Sequence, residues 1–121
     1  MAEKPTEFMI RTEQLALRII TLFSALPKTT VAQVLGKQVL RSGTSVGAQV
    51  AEANHSKSTA DFVSKIDGAR QEVEETLYWL RLIIHSKLVT EKRLAPLLSE
   101  ANEVKAILMT MSRNARRRLA K

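Results

Sequence analysis

The chain has 121 residues, of which 45% are apolar and 4% aromatic, with four glycines, three prolines and no cysteine. That length holds one domain with a real core, and the composition excludes wholesale disorder, a turn-rich all-β protein, a disulfide framework and any thiolate metal site or cysteine nucleophile. Nineteen Lys and Arg against twelve Asp and Glu leave a net charge of +7, which favours an acidic partner, nucleic acid first.

Residues 1–5 read as a loose start. From about 6 to 26, Phe8, Leu15, Ile19, Leu22, Phe23 and Leu26 recur at three- and four-residue steps, a helix stripe closed by Pro27. Thr29 or Thr30 can cap a second helix over 30–54, with Val31, Leu35, Val39, Val46, Val50 and Ala53 inward. Ser58 followed by Asp61 resembles a capping box for a third helix over 59–88, striped by Phe62, Ile66, Ala69, Val73, Leu77, Leu80, Ile84 and Leu88. Thr90 can cap a fourth over 91–118, whose stripe is Leu94, Leu97, Leu98, Ala101, Val104, Leu108, Met111 and Ala115; Pro96 falls inside it and predicts a kink or a late start. The connectors are short, so consecutive helices are antiparallel neighbours. The reading is all-α: one up-down-up-down four-helix bundle spanning 1–121. No apolar run approaches the roughly 18 residues of a membrane span and no signal peptide opens the chain, so a soluble, cytoplasmic protein with no membrane partner is expected.

Several constellations invite a chemical reading. Gly36, Gly43, Gly47 and Ala51 share one face of the second helix, where each interior glycine costs roughly 0.5–1 kcal/mol relative to alanine. Close approach of another helix explains them, within the bundle or at a subunit contact, and Gly43 and Gly47 are candidate oligomer-interface positions. The run Gly43-Thr-Ser-Val-Gly47 lacks the Gly-Lys-Ser/Thr ending of a phosphate loop, and no strand precedes it. Glu52-Ala-Asn-His55 supplies one Glu-x-x-His pair, but His85 has Leu82 three residues earlier, so the second pair of a di-iron bundle is missing. Neither a metal, a cofactor nor a nucleophile is expected, and the chain does not read as an enzyme. Arg41 can pair with Glu72 or Glu75 of the third helix. Tyr78 and Trp79 flank the core stripe, where an aromatic often marks a protein contact, so both join the candidate oligomer interface.

Charge is uneven along the chain. Residues 28–57 carry four cations against one acid and residues 89–121 eight against three, while 58–88 are slightly acidic. Arg113, Arg116, Arg117, Arg118 and Lys121 form the densest run, more than a helix dipole needs at its C-terminus. With Lys28, Lys37, Arg41 and Lys57 they are the candidate phosphate-binding residues. No aromatic residues interleave with them, which argues against base stacking and sequence-specific reading.

The stretch Leu26-Pro27-Lys28, the block from Gln38 through Arg41-Ser-Gly-Thr-Ser-Val-Gly-Ala to Ala53, Asp61-Phe62, and Glu75-Thr-Leu-Tyr-Trp79-Leu-Arg-Leu resemble the bacterial four helix bundle protein family. That family includes proteins encoded by intervening sequences within large-subunit rRNA genes, and it is distantly similar to the accessory variability determinant of diversity-generating retroelements. The likeness runs from about Arg11 to Leu108, and one departure is Gln49, where the family usually has Asn. The resemblance implies a ring-shaped homo-oligomer, commonly a homopentamer, with a non-enzymatic role tied to nucleic acid. It also implies a possible protein partner such as a reverse transcriptase. Two functions are therefore expected in order: an oligomeric bundle binding RNA or DNA backbones as an accessory factor, and, as the alternative, a scaffold for a polymerase or ribosome-associated protein.

Overall fold

The computed structural model describes residues 6–121; the loose start expected over 1–5 lies outside them. Four helices follow one another: α1 (Glu7–Ala25), α2 (Thr30–Ala53), α3 (Thr59–His85) and α4 (Glu91–Leu119). Each begins at a hydroxyl cap. Thr6, Thr29, Ser58 and Thr90 accept from the backbone N–H three residues on, satisfying a donor that the first turn would otherwise leave unmade. At α3 the reciprocal bond is displaced by one residue, because the Asp61 carboxylate accepts from the Lys57 N–H at 3.3 Å.

Consecutive helices pack antiparallel, α1 on α2, α2 on α3 and α3 on α4, whereas α1 and α4 touch least. The core is a column of fully buried aliphatics, Leu15 and Ile19 from α1, Val39 and Val46 from α2, Val73, Leu80 and Ile83 from α3, and Val104 and Leu108 from α4. One polar pair sits inside it: the hydroxyls of Ser42 and Thr76 lie 2.8 Å apart, both fully buried. Their two hydrogens are shared among this contact, the Glu72 carbonyl 2.8 Å from Thr76 and the Val39 carbonyl 3.4 Å from Ser42.

The glycines of α2 explain how closely α1 approaches. A Cβ on Gly43 would stand 2.8 Å from Ile19, and one on Gly36 2.8 Å from both Phe23 and Leu26. These absences are gaps into which α1 inserts its side chains. At Gly47 the nearest atom is Thr12 Oγ1 at 3.4 Å, an ordinary contact. Gly43 is thus used within the subunit and is not a surface open to a second copy, which corrects its placement at an oligomer interface.

Other expectations shift by one to three residues. Val31 is 57% exposed, and Ala32 and Gly36 take its place inside. Ile83, not Ile84, is the fully buried residue near the end of α3. That helix stops at His85, three residues short of expectation, because Lys87 adopts a left-handed φ of 64°. The N–H groups of Leu88 and Lys87 then bond back to the carbonyls of Ile83 and Ile84, the paired bonds of a Schellman ending. Glycine usually supplies that conformation, and no glycine stands here to announce it. At Pro96 the expected late start does not occur: α4 is continuous from Glu91. Gln49, longer than the asparagine of the resembling family, is accommodated because its amide lies over Gly68, whose missing Cβ would be 3.0 Å away.

Candidate nucleic-acid interface

α1 and α3 run toward one end of the bundle, and α2 and α4 toward the other. Arg11, near the start of α1, already pairs with Glu100 and Glu103 of α4, and α4 continues 16 residues beyond Glu103 to Leu119, roughly 24 Å of further helix. This extension carries the cation cluster. Arg113 and Arg117, four residues apart, share one ridge of α4, and Lys121 follows just past the helix end, all three exposed. No carboxylate pairs with any of the three, or with Arg118, among the described residues.

Arg116 is different. Its guanidinium turns back onto Asp67 of α3, and its Nε also donates to Ser112 Oγ at 3.3 Å. Burial pushes the Asp67 carboxyl up, but hydrogen bonds from Ser112 and Arg116 outweigh it and hold the group below its ordinary value. Arg41 is committed in the same way, reaching Glu75 at 2.8 Å and Glu72 at 3.4 Å as its position predicts. Two of the nine candidate phosphate ligands therefore neutralise acids of their own subunit.

The rest divide between the ends. Lys57 lies in the α2–α3 connector, at the pole where α4 finishes. Lys28 lies in the α1–α2 connector at the opposite pole, and Lys37 is exposed two turns into α2. The single patch that would unite Lys28 with the C-terminal cluster does not form. Sequence reasoning missed a second basic pole: Arg18, Arg81, Lys87, Lys92 and Arg93 stand with Lys28, all exposed, drawn from four separate stretches of chain. Short spacing betrays a cluster on one helix; it cannot reveal one assembled across helix ends.

Tyr78 is 49% exposed and meets the Trp79 ring edge-on at 5.0 Å, while Trp79 leans on the core with its indole N–H buried and without a partner among the described residues. Glu52 pairs with Lys65 at 3.5 Å and His55 stands exposed in the connector, so these two do not converge. Among the described residues no three His, Asp or Glu gather as a metal site would require. No helix there is long and apolar enough to cross a membrane.

The sequence pattern of the 23S rRNA-intervening sequence proteins matches residues 5–110. The crystal structure of a protein of unknown function from the S23 ribosomal protein family of Bacteroides thetaiotaomicron is similar, with a TM-score of 0.82 and 33% identity, over 87% of this chain and 97% of that one. No curated protein matches. The matched span ends before Arg113, so the cation ridge lies outside the part shared with the family. By pattern and by fold, the chain belongs to the 23S rRNA-intervening sequence protein family.

Proposed function

We propose that this protein is a non-enzymatic, cytoplasmic accessory factor that binds RNA or DNA backbones as a homo-oligomeric ring. The cations Arg113, Arg117 and Lys121, exposed and without a carboxylate partner among the described residues where α4 runs past the start of α1, are the observation that carries the reading. Guanidinium and ammonium groups on a helical ridge suit a phosphate track and carry no base readout. Repeating a +7 subunit multiplies the field, and multivalency compensates for weak individual contacts.

Two apolar surfaces support the ring. Ile10, Leu17 and Ile20 are 45%, 55% and 42% exposed on α1. Val31, Val34 and Tyr78 are comparably exposed on α2 and α3. α1 and α3 are the diagonal pair of the bundle and do not pack side by side, which sets the α1 patch and Tyr78 on opposite corners. Two different patches facing apart are what a head-to-tail closed ring needs, and a pentamer is the size the family resemblance favours.

The test is fluorescence anisotropy with a labelled RNA of mixed sequence across a KCl series. Salt-sensitive binding with little sequence preference is expected. Undetectable affinity at low salt, or affinity indifferent to salt, overturns the proposal.

A further inference from the structure

The weak seam between α1 and α4 opens, at the Lys28 pole, into a groove of about 310 Å³. The glycine gaps of α2 draw Ile19, Phe23 and Leu26 toward α2, which leaves the opposite flank of α1 standing off α4. Further along the seam, Arg11 closes the gap through Glu100 and Glu103, but among the described residues no ion pair bridges it near the α3–α4 connector. Leu22 from α1 and Leu26 just past its end, Leu94 and Leu97 from α4, and Val89 from the connector line the opening. Arg18 and Arg93 stand on its rim, both exposed; Arg18 lies near enough to Glu100 to help hold that carboxyl below its ordinary value, and Arg93 has no ion pair among the described residues. The lining contains no carboxylate.

We infer that this groove receives an acidic amphipathic helix of a partner protein. A leucine-rich trough between two helices offers a third helix a seat for apolar anchors spaced i, i+3, i+4 and i+7. The two guanidiniums select carboxylates on the flanks of that helix, since Arg pairs with carboxylate through a planar, two-pronged set of donors. Nucleic acid does not fit as well: the lining is aliphatic and carries no aromatic ring on which a base could stack. The site lies at the pole opposite the cation ridge, so both surfaces can be occupied together.

The probe is a fluorescein-labelled synthetic helix with leucines at those spacings and glutamates beside them, titrated with the full chain. Saturable binding is expected, with a scrambled peptide binding far less. Arg18→Glu with Arg93→Glu should weaken the probe roughly tenfold, because each reversal turns attraction into repulsion. The same variant should bind a lysine-for-glutamate peptide better than the wild type does. Ala25→Arg, a substitution of an exposed lining residue, gives a second reading should the double reversal fold poorly. Gln at Arg113 and Arg117 must leave peptide binding unchanged, which separates this inference from the RNA proposal. Equal affinity for native and scrambled peptides, or indifference to the reversals, overturns the inference. So does loss of the oligomer in sedimentation on reversing Arg18 and Arg93, which would assign the groove to a second copy of this chain.

Discussion

Arg116 of α4 is held by Asp67 of α3, so one of the five cations that crowd the C-terminus is not available to a phosphate. Its neighbours Arg117 and Arg118 point elsewhere and have no carboxylate partner among the described residues. Adjacent arginines of identical chemistry therefore have different expected roles, which a salt titration can separate. Replacing Arg117 and Arg118 by Gln should lower the slope of log affinity against log salt by roughly 1.4 on single strands and 1.8 on duplex DNA. Arg116→Gln should leave that slope alone. A single Arg116→Gln change that flattens the slope as much as the double mutant would show that the Asp67 pairing does not restrain it.

Acid should loosen the bundle through three carboxylates. The Arg11 hydrogen bond holds Glu100 below its ordinary 4.5, the Arg41 hydrogen bond does the same for Glu75, and Asp67 lies below its ordinary 3.8 for the reasons given above. A carboxylate depressed in the folded state binds its proton more readily when unfolded, so its stabilisation is complete above the ordinary value and is lost as pH falls through the folded one. Melting temperature should fall as pH drops below about 4.5, with the depressed groups protonating last. Asp67→Asn should flatten that decline, as followed by circular dichroism melts. An unchanged pH profile in that variant would remove Asp67 from the account.

Gly43 and Gly47 sit four residues apart and should respond oppositely to alanine. At Gly43 the new methyl meets Ile19, fully buried and stiff at its branched carbon, so overpacking should cost about 1–3 kcal/mol. At Gly47 the space is ordinary, and relief of glycine's unfolded-state entropy should add about 0.5–1 kcal/mol. Urea denaturation of the two variants reads both signs. Equal effects would mean that α1 does not insert into α2 as described.

Much of this bundle was legible beforehand, and what was not follows a pattern. The stripe of α4 was read almost whole, because Leu94, Leu97, Ala101, Val104 and Leu108 repeat without interruption and all are buried. The Arg41 pairing was legible for a similar reason, since one helix offered a cation where its neighbour offered acids one turn apart. Hydrophobicity misled at Val31: it belongs to the first turn of α2, where the helix face toward the core is taken by Ala32. Thr12, Ser42 and Thr76 were invisible because hydroxyls read as surface groups until a buried partner is known. The Gly43 face could be recognised as close-packed, but its neighbour could not be chosen from sequence, since α1 and a second subunit make the same demand.

Lys87 offers a stabilising change. Its left-handed backbone costs a side-chain-bearing residue about 1–2 kcal/mol relative to the right-handed region, and glycine avoids that steric penalty. Lys87→Gly should therefore raise the unfolding free energy by about 1 kcal/mol, read as a higher urea midpoint. A lower midpoint would place the lysine side chain in a stabilising role that outweighs its backbone.

A head-to-tail ring makes a demand on mixtures that a symmetric dimer does not. Leu17→Glu with Ile20→Glu should spoil the α1 surface, Tyr78→Glu the α3 surface, and each protein alone should sediment at its monomer mass of about 13.5 kDa. Mixed together, the first retains one good surface and the second the other, so a one-to-one complex should form. Failure of either variant to leave the oligomer, or of the pair to combine, counts against the closed head-to-tail arrangement.

The uneven seams give α1 a thermodynamic life of its own. It is fastened to α2 by shape and to α4 chiefly by the charged fork of Arg11, which salt and acid both weaken. Amide protons along α1 should then exchange with deuterated solvent ahead of those in the middle of α3, which has a packed neighbour on each side. Such opening would bare the trough on α2 where the glycines lie. It would also correct itself, because Ile19, Phe23 and Leu26 enter gaps at fixed intervals and the returning helix can seat in one register alone.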